Sequence, residues 1–185
     1  MRIMKVVLPV LLMAATLQAT TAQAAGTWTL GSNFGLGVIS SGGESVTTFG
    51  VPNGGGLFLG SVQPGMRIGF IVPSGEYDVY LDTGLNVVSG SNETIHSLIT
   101  TFNGQYNFSS GLDTTPFVTG GIGFARIGGG GGSDTEALLG GGFGVRRKIG
   151  GDHGAFRAEI RYDRLRLSDG ANCFGIKLGV DVWVP

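Results

Sequence analysis

The residues best able to do chemistry in this chain form a ladder of alternating charges. Arg157, Glu159, Arg161 and Asp163 take every second position of RAEIRYDRL, with Ala158, Ile160 and Tyr162 between them. Period-two spacing puts all four charges on one face of a strand. Facing one another in a confined space, such groups can pair, hold protons or line a water path. The other candidates are poorer. His96-Ser97 with Glu93 is the one local set with the nucleophile, base and acid of a hydrolase, and no motif supports it. His96 and His153 are the only histidines and fall in connections expected at opposite ends of the fold, so no shared metal site is expected. Residues 128–132 are all glycine, yet no Lys-Ser/Thr follows as a phosphate-binding loop requires, and the stretch reads as a surface loop. Cys173 stands alone, cannot form an internal disulfide, and reads as an inert small residue. No catalytic set, cofactor or metal is expected.

What carries the ladder is indicated by composition. The chain opens with a basic segment, Met1-Arg2-Ile3-Met4-Lys5, then an apolar run from Val6 to Leu17 and an Ala22-Gln23-Ala24 cleavage site. This is the pattern of a signal peptide over residues 1–24, leaving one domain over residues 25–185. The apolar run is shorter than the ~20 residues of a spanning helix. Without Arg2 and Lys5 the chain has ten basic residues against thirteen acidic, which argues against a nucleic-acid partner. Glycine is the outlier at 36 of 185 residues, well over twice the average of ~7%. The glycines sit inside strand-like runs, where they mark bends, bulges or close approach of another backbone.

Alternation recurs about eight times beyond the signal segment, at residues 28–38, 58–72, 77–87, 98–108, 118–125, 137–146, 156–163 and 174–182. Tight turns are expected at residues 73–76 and 149–154, with a somewhat longer one at 109–115. Residues 40–56, 89–97, 128–135 and 166–172 are expected as the longer connections. Short turns at one end and longer loops at the other are a feature of outer-membrane barrels.

Strict alternation fits two barrels of opposite polarity: a soluble one with a greasy interior and a membrane one with a polar lumen. Three features favour the second. The polar face is rich in glycine and poor in bulk, as the narrow interior of an eight-stranded barrel requires, and only 14% of the chain is charged against ~25% in soluble domains. Aromatics gather near strand ends, Trp28, Phe70, Tyr77, Phe108 and Phe156 at one end and Phe58, Phe124, Tyr162 and Phe174 at the other, as in interfacial girdles. Finally, the polar-face charges balance: Arg67, Arg146, Arg157, Arg161 and Lys177 against Asp78, Asp82, Glu159, Asp163 and Asp181. These ten are expected to form a lumen charge network, with Arg67 directly opposite Asp82.

The segments PFVTGGIGFAR, GGGFGVRRKIG…GAFRAEIRYDRL and FGIKLGVDVWV resemble the small outer-membrane β-barrel domain family typified by OmpX and the transmembrane domain of OmpA. The resemblance runs from about residue 26 to the end. It implies an all-β, eight-stranded, antiparallel up-and-down transmembrane barrel in the outer membrane of a Gram-negative bacterium. It also implies outer-membrane lipid and the barrel assembly machinery as partners, and a monomer. The family commonly ends in an aromatic residue read by that machinery, whereas this sequence ends Asp181-Val182-Trp183-Val184-Pro185, with Trp183 as the nearest stand-in. The expected role is structural or interactive, with an extracellular ligand bound by the outer loops. A narrow pore, a lipid-modifying enzyme and, with the faces reversed, a soluble periplasmic lipid-binding barrel are the alternatives. Mass spectrometry of the exported protein should find Ala25 as its first residue; a chain retaining residues 1–24 would make the leader a structural segment.

Overall fold

The computed structural model describes residues 26–41, 43–50, 65–89, 94–129, 131–150, 153–166 and 171–184. Nine strand segments follow in order: β1 (Thr27–Ser41), β2 (Glu44–Gly50), β3 (Gly65–Ile71), β4 (Tyr77–Ser89), β5 (Thr94–Asn107), β6 (Thr114–Gly129), β7 (Gly132–Ile149), β8 (Gly154–Leu165) and β9 (Ala171–Val184). All pairings are antiparallel between sequence neighbours, except that β1 also pairs with β3 and with β9. Residues 35–41 of β1 face β2, and residues 27–33 face β3 on the same edge. The two segments therefore share one place in the wall, and the barrel has eight. The seam is closed by β1 and β9 in a thirteen-residue register from Trp28↔Val184 to Ser40↔Asn172. This is the up-and-down, eight-stranded transmembrane barrel expected from the alternation.

Burial is inverted relative to a soluble protein. Met66, Leu85, Leu139 and Phe143 are each 60–69% exposed on the outer wall, whereas Glu159, Arg161 and Asp163 inside are at most 2% exposed. Only hydrocarbon outside makes that distribution stable, since charge is costly to bury unless paired and apolar surface is costly to leave in water. The reversed, soluble reading is thereby overturned. Near the chain ends the outer wall carries packed aromatics: Trp28 meets Phe70 edge-on at 5.4 Å, and Tyr106 stacks between Tyr77 at 5.2 Å and Phe108 at 5.0 Å. Toward the other end Phe124, Tyr162 and Phe174 are exposed on the same outer face. Phe58 lies outside the described residues.

Several connections differ from expectation. Within the expected loop at residues 40–56, Glu44–Gly50 is strand β2, with Gly43 at φ +89° making the turn from β1. The expected strand over residues 58–72 is described only as Gly65–Ile71; its first part lies outside the described residues. The expected glycine loop at residues 128–135 is the tip of a hairpin that pairs to Gly129↔Gly132 and turns through Gly131 at φ +93°. Thr94–Ser97 likewise belongs to β5. The expected contrast in loop length therefore fails for these hairpins: four to six residues separate the strands at the chain-end side and two to five at the other, the fourteen residues between β2 and β3 apart. The reason is strand length. Apart from β2 and β3 the strands run 12–18 residues, beyond the ~9–11 that cross a bilayer, so pairing continues past the membrane where alternation of apolar residues is no longer required.

Ile160 sits on the outer wall midway along β8. Ile160→Arg should destabilise the barrel by about 2–4 kcal/mol, read as a lower urea midpoint for unfolding from phospholipid vesicles. An unchanged midpoint would mean that this face does not meet hydrocarbon.

Candidate functional site: the barrel lumen

The lumen is built by the inward-facing residues of every strand. On β8 these are Arg157, Glu159, Arg161 and Asp163; directly opposite on β7 stand Arg146, Gly144, Gly142 and Gly140. The glycines explain themselves. A Cβ on Gly142 would lie 2.9 Å from Glu159 Oε1 and 3.1 Å from Arg161 Cα, and one on Gly144 would lie 2.7 Å from the Phe117 ring. Three glycines in a row thus leave the trough into which the charged side chains of β8 fold. Asp181 and Asn103 likewise face Gly31 and Gly121 across their strand pairs.

All ten residues of the sequence-derived charge set point inward and are buried. Near the chain-end mouth, Asp78 accepts bonds from Arg146 Nη1 at 2.6 Å, Gln105 Nε2 at 2.9 Å and Asn107 Nδ2 at 2.9 Å. Deeper in, Arg67 meets Asp82 through two parallel bonds of 2.7 and 2.9 Å, the fork geometry that gives Arg–carboxylate pairs their strength. Asp82 also accepts from Lys177 Nζ and, at 3.2 Å, from Asn33 Nδ2. Asp181 lies 3.9 Å from Arg67 Nη1 and 3.7 Å from Arg157 Nη1. On β8, Arg157 reaches Glu159 at 3.5 Å, and Arg161 reaches Glu159 at 3.2 Å and Asp163 at 3.0 Å. Cross-links from other strands complete this end: Thr119 Oγ1 donates to Glu159 at 2.7 Å and Arg161 Nη2 donates to Asn103 at 2.9 Å. Five cations meet five anions, and β1 and each of β3 to β9 contribute a polar or glycine position to the network among the described residues.

Two further features fill the lumen. Tyr80 lies inside, with the Arg67 guanidinium 3.7 Å and that of Arg157 5.1 Å from its ring centre; Arg157 also stands 4.7 Å from the Phe117 ring. Aromatic faces are favourable neighbours for Arg, and alternation alone marks Tyr80 as inward. The second feature is an apolar layer. Ile99, Ala125, Leu138, Leu165, Ala171 and Cys173 pack together inside the barrel at the end remote from the chain termini. Little room remains between these parts: the space beside Asp82 and Lys177 measures 10 Å³, at the lower limit for one water. A wider vestibule of 210 Å³, lined by Arg146, Lys148 and Trp183 among others, opens at the chain-end mouth. Trp183 is on the inward face, half-buried, with Lys148 Nζ 5.9 Å from its ring centre; Val184 is the outward residue at that level.

The candidate hydrolase set is not assembled. His96 is in β5 rather than in a connection, on the outward face, while Ser97 is fully buried inside; Glu93 lies outside the described residues. Neighbours on a strand point to opposite faces, so the barrel wall separates the two. His153 lies in the turn between β7 and β8 at the other end, its Nδ1 2.8 Å from the Gly150 carbonyl.

A closed barrel, apolar outside and lined within by a packed, charge-balanced network, defines a transmembrane β-barrel protein. Its fold is that of small outer-membrane barrels. Neisserial surface protein A superposes with a TM-score of 0.64 over 86% of this chain and 99% of that one, at 14% identity. The N-terminal β-barrel domain of Pseudomonas aeruginosa OprF aligns with a TM-score of 0.48 at 14% identity, over 85% of this chain and 99% of that one. Ail, the attachment invasion locus protein of Yersinia pestis, aligns with a TM-score of 0.49 at 11% identity, over 87% and 100%. No protein-family model matches the chain, and neither does any curated protein sequence.

Removing one member of a buried ion pair strands its partner. Arg161→Met should cost about 3–5 kcal/mol, whereas replacing Glu159, Arg161 and Asp163 together by apolar residues of like volume should recover part of that loss. Equilibrium unfolding in lipid vesicles measures both; equal stability of Arg161→Met and the unaltered protein would deny the ladder any role in holding the barrel.

Proposed function

We propose that this protein is an integral barrel of the bacterial outer membrane that acts as a non-conducting scaffold, holding its outer hairpins and loops at the cell surface for an envelope-stabilising or adhesive role. The observation that carries this reading is the filled lumen: interlocking ion pairs through most of its length, then an apolar layer at the far end. Ions crossing it would have to break buried pairs and then enter a stretch that excludes water, and apolar constrictions close pores by dewetting. A wall so cross-braced is suited to presenting surface segments rigidly. The extracellular ligand belongs to those segments, and the assembly machinery and membrane lipid are the partners of the wall. The proposed role is structural and interactive rather than enzymatic.

Cell fractionation followed by planar-bilayer recording tests this. The protein should be recovered with outer membranes, run faster unheated than boiled on a detergent gel, and give no discrete current steps. Discrete steps that vanish or change size in Arg161→Gln or Glu159→Gln would replace the scaffold by a gated narrow pore.

A further inference from the structure

Among the described residues of β4 to β9, outward-facing charge is rare and has one sign. Along β4 to β9, the charged residues on the outward face are Arg126, Arg147 and Arg164, with Arg166 continuing the same parity just past β8. No carboxylate shares that face on those strands. Arg126 and Arg164 each stand two residues beyond an outer-wall aromatic, Phe124 on β6 and Tyr162 on β8. They therefore lie at the level where hydrocarbon gives way to headgroups, at the end remote from the chain termini.

The strand between them shapes a receptacle. Arg126 is paired with Thr135 on β7, Arg164 with Leu139, and the Arg166 amide donates to the Ala137 carbonyl. The floor is thus the small side chains of Thr135 and Ala137, with Arg126 on one side and, two interstrand steps across and two residues along, Arg166 on the other at ~12 Å; Arg164 lies two residues farther toward the bilayer centre, ~16 Å from Arg126. Arg126 Nη2 also donates to Ser133 Oγ at 3.3 Å, and the His96 ring covers Gly128 beside it. Farther along the same wall the outer face is indented. Gly104, Gly120 and Gly141 lie side by side on β5, β6 and β7, and open space stands over Gly104 and Gly120. That notch is four residues from Ala137 along β7, or ~14 Å toward the bilayer centre.

We infer that Arg126, Arg164 and Arg166 bind a phosphate of a phosphorylated, multiply acylated glycolipid of the outer leaflet, one acyl chain of which lies in the Gly104–Gly120–Gly141 notch. Uncompensated Arg at a lipid-facing site is unfavourable, and a headgroup phosphate supplies the missing charge through the fork geometry that guanidinium offers. The inference rests on the outer-membrane reading above and fixes which end of the barrel meets the outer leaflet.

The test uses the protein purified from membranes in mild detergent and titrated with bisphosphorylated lipid A, with bound lipid counted by native mass spectrometry. One lipid A should be retained per barrel, and dephosphorylated lipid A should not be. Arg126→Gln/Arg164→Gln/Arg166→Gln should weaken retention by about a hundredfold, from ~1 kcal/mol per basic side chain at an anionic surface. Arg147→Gln at the opposite rim should change nothing, and Gly120→Leu, which fills the notch without touching charge, should weaken retention several-fold. The gel mobility shift confirms that each variant is folded; should the triple variant fail, Arg126→Gln alone should give a partial loss. Equal retention by the triple variant, equal loss in Arg147→Gln, or full displacement by inorganic phosphate would overturn the lipid site. Unchanged retention in Gly120→Leu would remove the acyl chain from the notch. Recovery of the protein from the soluble periplasm would instead refute the outer-membrane reading, independently of these titrations.

Discussion

A peptide group inside hydrocarbon has no water to bond, so every strand that crosses a bilayer must be paired on both edges. The seam between β1 and β9 meets that demand, and the rest of the structure follows from it. Eight places in a closed wall leave an interior only wide enough for side chains. Residues that alternate away from lipid must therefore pack against one another, and they are polar because their neighbours face lipid. Glycine then becomes a structural necessity: the inward glycines of β7 sit directly opposite the charged side chains of β8, trading bulk on one strand for length on the next.

The same confinement decides what the lumen does. Lone charges could not remain buried there, whereas paired ones with a full set of donors can. Asp78 and Asp82 each gather bonds from several strands, so the network braces the wall from within. The apolar layer around Leu138 and Leu165 adds a barrier of a different kind, because it offers passing ions no replacement for their hydration. A barrel stiffened and filled in this way suits the proposed scaffold role, whose contacts would lie on its outer surfaces.

The crossing strands were legible because lipid on one side and a crowded lumen on the other impose a period of two on nearly every residue. The membership of the charge set followed from the same parity, and Arg67 opposite Asp82 followed from the intervening turn. What escaped was of two kinds. β2, the start of β5 and the tip of the β6–β7 hairpin lie where that environment no longer acts, and sequences such as ESVTTFG and GGGGGSD read as connections by composition. Ile99, Leu138 and Leu165 escaped for the opposite reason: they are the residue types of the lipid-facing wall, and only their parity puts them inside. The same holds for which cation meets which anion, since Arg67 and Arg157 reach Asp181 from opposite sides of the seam.

That last arrangement bears on how the molecule comes into being. β1 and β9 stand at opposite ends of the polypeptide, so their pairing has the longest chain separation of any in the wall, and contacts between distant segments are the slowest to form. Asp181 arrives with β9 into a site already furnished by β3 and β8. Until it does, Arg67 and Arg157 lack one carboxylate and two strand edges stand open. Zipping of the seam and completion of the interior pairing are accordingly a single late event, and a chain halted before β9 would be left unclosed, with Asp82 lacking Lys177 and with Arg67 and Arg157 lacking Asp181.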